Sequence, residues 1–249
     1  MNRRARLVLF LLGGAGVAVM FVAAVVAIPP FGHSSHPNRD LAVPAATARQ
    51  AANVISSVNF DQRAMDTLGE ETILIASVVG AVVLLRPGDD ETERHVPDTG
   101  RTLQGTRLLG YLLLPVTLVV GLDVVWHGHL TPGGGFQGGV VLATGLHLLY
   151  ITGDYSALER LRPVTAFDVS EAFGAAVFAA TGLAGMAISG SFLANFIALG
   201  KLGQLMSSGT VPLLNAAVGL EVFGSMVVLL AGFFEQDVTV TPSASGVRR

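Results

Sequence analysis

The sequence predicts an all-α integral membrane protein with six transmembrane helices. Of its 249 residues 51% are hydrophobic and only 13% are charged. The apolar residues are gathered in long uncharged runs, which a water-soluble domain would have difficulty burying. Because a hydrocarbon core about 30 Å thick is crossed by roughly 20 helical residues, each long run predicts a membrane-spanning helix.

The first run, Leu7–Ile28, ends at two prolines. A cleaved signal peptide is the alternative, although this run is longer than the roughly 7–15 residues of a signal core. The fourth span, Gly138–Thr152, reaches only about 22 Å. It must therefore thin the bilayer or be extended by the glycine-rich loop before it. The remaining spans are the second, third, fifth and sixth: Thr67–Leu85, Leu108–Val125, Ala172–Ser189 and Val211–Phe234.

The basic residues predict the orientation of these spans. Short cytoplasmic loops carry an excess of Lys and Arg, and with the amino terminus inside, eleven of the fifteen basic residues fall on the cytoplasmic side. They are Arg3, Arg4, Arg6, Arg86, Arg94, Arg101, Arg107, Arg160, Arg162, Arg248 and Arg249. Only Arg39, Arg49, Arg63 and Lys201 remain on the other side. We therefore predict an even number of spans and two cytoplasmic termini.

Two segments on the outer side are amphipathic, and the first of them predicts a short helix lying on the membrane surface. In Pro44–Phe60, helical spacing places Ala48, Ala51, Ala52 and Ile55 on one face. Phe192–Met206, before the sixth span, shows a similar amphipathic pattern.

Several classes of protein are excluded by what the chain lacks. It has no cysteine, which excludes disulfides, thiolate metal sites and cysteine nucleophiles. It has no nucleotide-binding loop, haem-ligand pair or nucleophile constellation, and no basic nucleic-acid motif. We expect no enzymatic activity of its own, no cofactor, no metal site and no nucleic-acid partner.

Ionisable residues inside the spans are the first functional candidates. A charged side chain at the centre of a transmembrane helix costs roughly 2.5–3.5 kcal/mol on insertion scales, and such residues often mark ion or proton routes. Glu221 lies near the middle of the sixth span, although a protonated glutamate bonded to a neighbouring helix is the structural alternative. His147 in the fourth span could exchange protons near neutral pH, or it could be a packing residue. Asp168 and Glu171, which begin the fifth span, are more typical of helix capping.

Two further sets of candidates lie at span ends. Asp123 is close in sequence to His127 and His129, and together they predict a proton antenna or a weak cation site, or simply a solvated helix end. Asp66 and Glu70 begin the second span four residues apart and so share one helix face. Ion coordination and helix capping both explain that pair.

The most unusual segment is HGHLTPGGGFQGGVV, residues 127–141. Consecutive glycines allow a tight turn and close helix packing, and proline prevents the helix from starting early. Irregular backbone at membrane depth is tolerated only where protein or water satisfies its amide groups. The segment therefore predicts either part of an ion pathway or an assembly surface, formed by Pro132, Gly133, Gly134, Gly135, Phe136, Gln137 and Gly138.

This segment closely resembles the signature loop of the MnhB/MrpB-type subunit of the multisubunit Mrp-type (Mnh or Sha) cation/proton antiporters, and the resemblance covers about Thr102 to Val238. FDQRAMDTLGEETILIASVVGAVVLLR, residues 60–86, resembles the carboxyl-terminal extension of the A-type subunit of the same complexes, which is a separate E-type subunit in membrane-bound hydrogenases. The resemblance implies roles for Asp66, Gly69 and Glu70 in the first half, and for His129 with the glycine-rich loop in the second.

The two resemblances imply a fusion of modules: a two-helix E-like module at residues 1–87, a linker at 88–101, a four-helix B-like domain at 102–238 and a tail at 239–249. The implied function is that of an accessory membrane subunit of a Na+/H+ antiporter complex in a prokaryotic plasma membrane. Its partners would be large antiporter-like subunits, small membrane subunits, lipid, Na+ and H+. A redox-driven hydrogenase or formate-oxidising complex, a purely structural scaffold and an independent transporter are the alternatives.

Overall fold

The computed structural model describes residues 3–28, 37–85, 103–152 and 164–234, and every regular element in these ranges is helical. This confirms the all-α prediction. A π-helical turn, Val58–Gln62, lies between the third and fourth helices. In chain order the α-helices are Arg3–Val26 (α1), Pro37–Ala48 (α2), Val54–Ser57 (α3), Ala64–Leu84 (α4), Gln104–Trp126 (α5), Gly135–Ile151 (α6), Val164–Ser189 (α7) and Val211–Phe234 (α8).

Four of these helices are long and apolar enough to cross a membrane: Ala64–Leu84, Gln104–Trp126, Ala166–Ser189 and Val211–Phe233. Leu11–Val26 and Gly135–Ile151 are apolar but shorter. The count of six spans and the orientation of the termini remain predictions. The linker at 88–101, the tail at 239–249 and most of the arginines that predict the orientation lie outside the described residues.

The chain divides into two units, Met1–Leu41 and Ala42–Arg249. The first contains α1, whose described side chains are exposed. In the second unit, α4 packs against α7 and α8, while α8 also packs against α5, α6 and α7. In the most apolar window of α8, 56% of the residues are buried, against 17% in α4 and in α5. α8 is therefore the central helix of the second unit.

Apolar side chains cluster at two levels along α8. One cluster includes Phe60, Phe178 and Leu214, and the rings of Phe60 and Phe178 have centroids 6.4 Å apart. The other includes Phe167, which meets Phe223 edge to face at 5.3 Å. These clusters fix α4, α6 and α7 against α8 and so determine which polar side chains face the interior.

Three connecting segments, residues 50–63, 127–134 and 190–210, meet on one side of the bundle, here called the loop face. The Asn53 side chain donates to the carbonyl oxygens of Gly128 and Thr131, at 2.7 and 2.8 Å. The Leu202 amide donates to Gln50 Oε1 at 2.8 Å. Helices α4, α6 and α8 therefore begin at the loop face, whereas α7 begins at the opposite face and ends at this one.

The amphipathic segment Pro44–Phe60 is helical only in part. Between Pro44 and Phe60 the chain turns at Gln50, where φ is 59°, and a new helix starts after the Asn53 cap. Of the residues predicted to share one face, Ala51 is buried and Ile55 is exposed. The second segment, Phe192–Met206, is not helical. The Asn195 side chain donates to the Ser208 carbonyl oxygen and accepts from the Thr210 amide, both just beyond this segment. Side-chain bonds to distant backbone overrode the local apolar pattern in both segments.

Candidate functional site

Two glutamates from different helices meet in the interior of the second unit. Glu221, in the middle of α8, is fully buried, and Glu71 on α4 is 1% exposed. Their carboxyl groups are neighbours that interact electrostatically, but no hydrogen bond of acceptable geometry joins them. Glu71 reaches this position because it shares the buried face of α4 with Ala64, Thr67 and Val78.

A third glutamate approaches from α7. Glu171 is 7% exposed and interacts electrostatically with Glu221. Glycines bring the two helices together: a Cβ at Gly174 would lie 2.8 Å from Glu221 Cβ, and a Cβ at Gly224 would lie 2.9 Å from the Glu171 amide nitrogen. Any larger residue at either position would separate the helices that carry the two carboxyl groups.

The three glutamates are unusual because their burial is not compensated. Both carboxyl oxygens of Glu71 and of Glu221, and Oε1 of Glu171, are buried without a hydrogen-bond partner among the described residues. The arginine–carboxylate ion pairs found within the described ranges involve Asp40, Asp61 and Asp66, not these glutamates. Buried carboxyl groups are normally paired or hydrogen-bonded, because an uncompensated one is costly. These three therefore form the candidate site, here called the carboxyl cluster.

Of the sequence-predicted residues, only Glu221 lies in this cluster. Glu70, the residue predicted from the sequence to be a site residue, is exposed on α4, whereas its neighbour Glu71 is buried. Asp66 is also exposed and pairs with Arg63 at the start of α4. The sequence predicts a helix cap at Glu171, yet this residue lies inside the bundle. Glu71 lies four residues after Thr67 and therefore on the same face of α4. The sequence does not show that this face is the buried one, because the apolar residues of α4 surround the helix.

The residues of the predicted antenna separate. His127 Nδ1 lies 2.9 Å from Asp123 Oδ1 at the exposed end of α5. His129 is fully buried, with Nε2 3.4 Å from the Gln204 carbonyl oxygen, and its own carbonyl accepts from the Asn53 amide at 3.0 Å. Burial lowers the pKa of the His129 imidazole. The neutral form is thereby favoured, as suits a residue that anchors two loops.

Asp61 is a second ionisable group buried at the loop face. Its side chain is 3% exposed and lies 3.4 Å from the Arg49 Nε, and it also interacts with the Asn195 side chain. Burial raises the pKa of Asp61 above its ordinary value, although the Arg49 guanidinium opposes this shift. The sequence does not indicate Asp61 as a candidate, because it lies outside the apolar runs.

His147 is half-buried on α6 and interacts with the backbone of Met226 on α8. Met226 follows Ser225 on the helix that carries Glu221, so His147 lies next to the same part of α8. The structure does not bring it into the carboxyl cluster itself.

The glycine-rich loop closes around one asparagine of α8. Gly133 and Gly134 have φ of 141° and 136°, a region that residues with a side chain rarely adopt. The amide of Gly135, the first residue of α6, donates to Asn215 Oδ1 at 2.9 Å. Asn215 Nδ2 donates to Ser56 Oγ and to the Val211 carbonyl, at 3.0 and 3.1 Å. Asn215 thus caps α6 and ties three segments together.

The glycines that follow let α6 lie close to two helices. A Cβ at Gly138 would be 2.8 Å from the Gly121 carbonyl of α5, and a Cβ at Gly139 would be 2.8 Å from the Gly219 carbonyl of α8. The side chains of Pro132 and Gln137 are exposed, whereas Phe136 packs on the core. The close contacts of the loop are therefore made within this chain.

Metal chemistry has no candidate centre in the described part of the chain, where no three His, Asp or Glu side chains are grouped to hold an ion. The carboxyl cluster is the one place in the described ranges where oxygen donors from several helices converge without partners. Chemically, adjacent carboxyl groups of this kind can hold a proton and pass it from one to the next.

Comparison with known proteins gives the family. Residues 106–228 match the domain related to the MnhB subunit of Na+/H+ antiporters. An uncharacterised protein of Methanocaldococcus jannaschii is 34% identical over 202 residues, which are 70% of this chain and 74% of that protein. The B-type subunit of the Na+/H+ antiporter of Alkalihalophilus pseudofirmus is 25% identical over 138 residues, 53% of this chain and 90% of that protein. A protein of Rhizobium meliloti, named as the probable A/B-type subunit of a K+/H+ antiporter, is 27% identical over 213 residues, 75% of this chain but only 21% of that protein.

Two solved structures share the fold. A chain of the membrane-bound sulfane sulfur reductase, an archaeal respiratory membrane complex, matches with a TM-score of 0.70 and 28% identity, over 94% of this chain and 98% of that one. A chain of the Mrp complex from Dietzia sp. DQ12-45-1b matches with a TM-score of 0.68 and 25% identity, over 97% of this chain and 27% of that one. Both structures are of multisubunit membrane complexes. The relatives of this chain include subunits of Na+/H+ and K+/H+ antiporters, and the chain belongs to the MnhB-related family.

Proposed function

We propose that this chain is an accessory subunit of a multisubunit cation/proton antiporter complex, contributing both to assembly and to a sodium or proton pathway. The observation that carries the pathway role is Glu221, fully buried in the central helix beside Glu71 and without a hydrogen-bond partner in the described ranges. Family membership supports the complex. The uncompensated carboxyl groups support a direct role in transport, because a purely structural glutamate would be expected to have a partner.

The proposed subunit spans the prokaryotic plasma membrane six times, with both termini in the cytoplasm. The four long apolar helices and the two shorter ones, Leu11–Val26 and Gly135–Ile151, support this count. The short α6 begins at the glycine-rich loop, so the loop would enter the membrane region, where Asn215 satisfies the first helical amide.

We further infer two modules, an E-like one at 1–87 and a B-like one at 102–238, joined by a linker at 88–101 and followed by a tail at 239–249. The alignment with the A/B-type protein of Rhizobium meliloti covers 75% of the chain, more than residues 106–228 alone provide, and supports this division. Glu71 belongs to the first module and Glu221 to the second. The carboxyl cluster would then exist only where the two modules pack together.

The proposed partners are large antiporter-like subunits and small membrane subunits, with lipid around them, and with Na+ and H+ as the transported ions. A second candidate is a subunit of a redox-driven ion-pumping complex. It is favoured by the match to 98% of a chain from a respiratory membrane complex. A purely structural scaffold is the third candidate, favoured by the close packing of the loop glycines.

The test is purification of the chain from its native membrane in mild detergent, with identification of its stoichiometric companions by mass spectrometry. Antiporter-like subunits without iron–sulfur proteins are expected, and soluble iron–sulfur companions would favour the redox-driven complex. The complex with and without this chain is then compared for Na+-driven proton movement in everted vesicles. Full exchange by the complex that lacks the chain would contradict the proposed function.

A further inference from the structure

The three carboxyl groups lie at successive depths across the bundle. Glu71 is seven residues from the start of α4, which is about 10 Å from the loop face at 1.5 Å per residue. Glu221 is ten residues from the start of α8, about 15 Å from the same face. Glu171 is seven residues from the start of α7, which begins at the opposite face, so it lies about 10 Å from that face.

Each end of this series is continued by an exposed carboxyl group. Glu70, exposed on α4, interacts electrostatically with Glu71, and Asp168, exposed on α7, interacts with Glu171. At each end, a buried carboxyl group is therefore next to an exposed one. On α6, the nearest titratable group is His147, which interacts with the backbone of Met226 beside the cluster.

A buried hydroxyl lies beside the Glu171 carboxyl group. Ser225, one turn after Glu221 on α8, is fully buried, and its side chain adjoins the Glu171 carboxyl. Its Oγ has no hydrogen bond of acceptable geometry among the described residues. A hydroxyl can both accept and donate a proton-carrying hydrogen bond. Because residues four apart share one face of a helix, Ser225 lies on the same side of α8 as Glu221 while its hydroxyl adjoins Glu171.

The backbone around the cluster is less suitable for a dehydrated cation. Sodium sites in transporters commonly use carbonyl oxygens freed by unwound helices. Here α4, α7 and α8 continue without a break through Glu71, Glu171 and Glu221, so their carbonyl groups are engaged in helical hydrogen bonds. Carboxyl and hydroxyl oxygens alone remain as donors. This favours a proton over a cation as the species carried.

We propose that Glu71, Glu221, Ser225 and Glu171 form a proton relay between the loop face and the opposite face, and that Na+ is bound elsewhere in the complex. The relay rests on the proposed function. In each hop an O–H bond breaks at a carboxylic acid and another forms at the neighbouring carboxylate, directly or through the Ser225 hydroxyl or a water molecule. The donor becomes a carboxylate and the acceptor an acid, so the net charge of the cluster is unchanged.

The experiment measures Na+-driven proton movement in vesicles that contain the full complex with Glu171→Gln. Glu171 is chosen because it lies outside both the predicted fifth span and the glycine-rich loop. Because a positioned acid–base group contributes roughly a hundredfold or more, the rate should fall at least about tenfold even if water partly replaces the carboxyl group. The half-saturating Na+ concentration should stay unchanged. Glu171→Asp, which retains a carboxyl group, should restore part of the rate.

The matched control is Thr181→Val, also on α7, whose hydroxyl bonds to the Val177 carbonyl of its own helix. It should retain transport, and all variants should contain the same amounts of the partner subunits. A raised half-saturating Na+ concentration in Glu171→Gln would overturn the relay in favour of a cation site. Unchanged proton movement in Glu171→Gln would overturn it as well.

Removal of the whole chain tests the proposed function, whereas the single substitutions test the relay. If removal of the whole chain leaves exchange intact, the proposed function fails. If exchange requires the chain and is lost in Glu221→Gln but not in Glu171→Gln or Glu71→Gln, the function stands and the relay is wrong.

Discussion

Two buried polar residues on the same helix show opposite behaviour. Asn215, near the loop-face end of α8, and Glu221, in its middle, are both fully buried. Asn215 accepts a hydrogen bond from Gly135 and donates to Ser56 and to the Val211 carbonyl. Glu221 has no hydrogen-bond partner in the described part of the chain, and its neighbours include two more glutamates.

Under the proposed function, this difference assigns a structural role to Asn215 and a transport role to Glu221. At the loop-face end of α8, both polar atoms of the Asn215 side chain have hydrogen-bond partners, and these bonds hold the glycine-rich loop. A buried polar network stabilises a fold only when all of its members have partners. The middle of α8 places acidic groups side by side, an arrangement that weakens stability and is retained mainly at functional sites. The following substitutions should affect one region without the other.

The largest effect is expected from Gly135→Ala at the loop-face end. The added Cβ would lie 2.5 Å from the Asn215 carbonyl oxygen and 2.9 Å from the Gly219 amide nitrogen, both of which are backbone atoms that cannot move aside. Overpacking costs about 1–3 kcal/mol and more where backbone must shift. The assembled chain should be lost from purified membranes. Gly80→Ala, where nothing lies within 4 Å, is the control and should assemble normally.

Glu221→Gln should have the next largest effect, on transport alone. Removing a positioned proton carrier is expected to slow Na+-driven proton movement by about a hundredfold, whereas the melting temperature of the purified complex should stay constant or rise. A melting temperature that falls together with transport would indicate that Glu221 is structural like Asn215.

The converse substitution is Asn215→Leu. It leaves the Gly135 amide and the Ser56 hydroxyl without partners in the interior, which costs about 1–3 kcal/mol for each unsatisfied group. Thermal unfolding should shift to lower temperature. In the fraction that remains assembled, transport per complex should be close to that of the wild type, because Asn215 is not part of the carboxyl cluster.

Glu71→Gln and Glu70→Gln compare adjacent residues on one helix. Glu71 is buried beside Glu221 and Glu70 is exposed. The loss of proton movement should be large for Glu71→Gln and smaller for Glu70→Gln, as measured in the same vesicles. Equal losses, or a greater loss at Glu70, would contradict the inward position of Glu71 as the reason for its role.

The smallest effect should come from His129→Asn at the loop face. Because burial lowers the pKa of His129 below its ordinary value of 6.5, the unfolded chain binds a proton before the folded chain does. Stability is therefore unaffected above about pH 6.5 and falls as the pH decreases below it. His129→Asn should weaken this acid-induced loss of thermal stability, measured between about pH 5 and pH 7. An unchanged pH profile would show that His129 is not a source of that loss.

The sequence predicted the membrane helices and Glu221 because both depend on local properties. A long apolar run is expelled from water wherever it packs, and a glutamate inside it is costly in any arrangement. These local properties do not distinguish the buried Glu71 and Glu171 from the exposed Glu70 and Asp168. On helices that are apolar on every side, no periodic pattern tells the interior from the lipid.

By itself the sequence determined the all-helical membrane fold, the family and the presence of a costly acid in the last span, since composition and motif spacing suffice for these. Only the tertiary structure decided which faces of α4 and α7 turn towards α8, and so which acids meet. It also decided that the loop glycines pack around Asn215. These outcomes depend on contacts between residues such as Gly174 and Glu221, or Gly135 and Asn215, which are far apart in the chain and come together only when the helices pack.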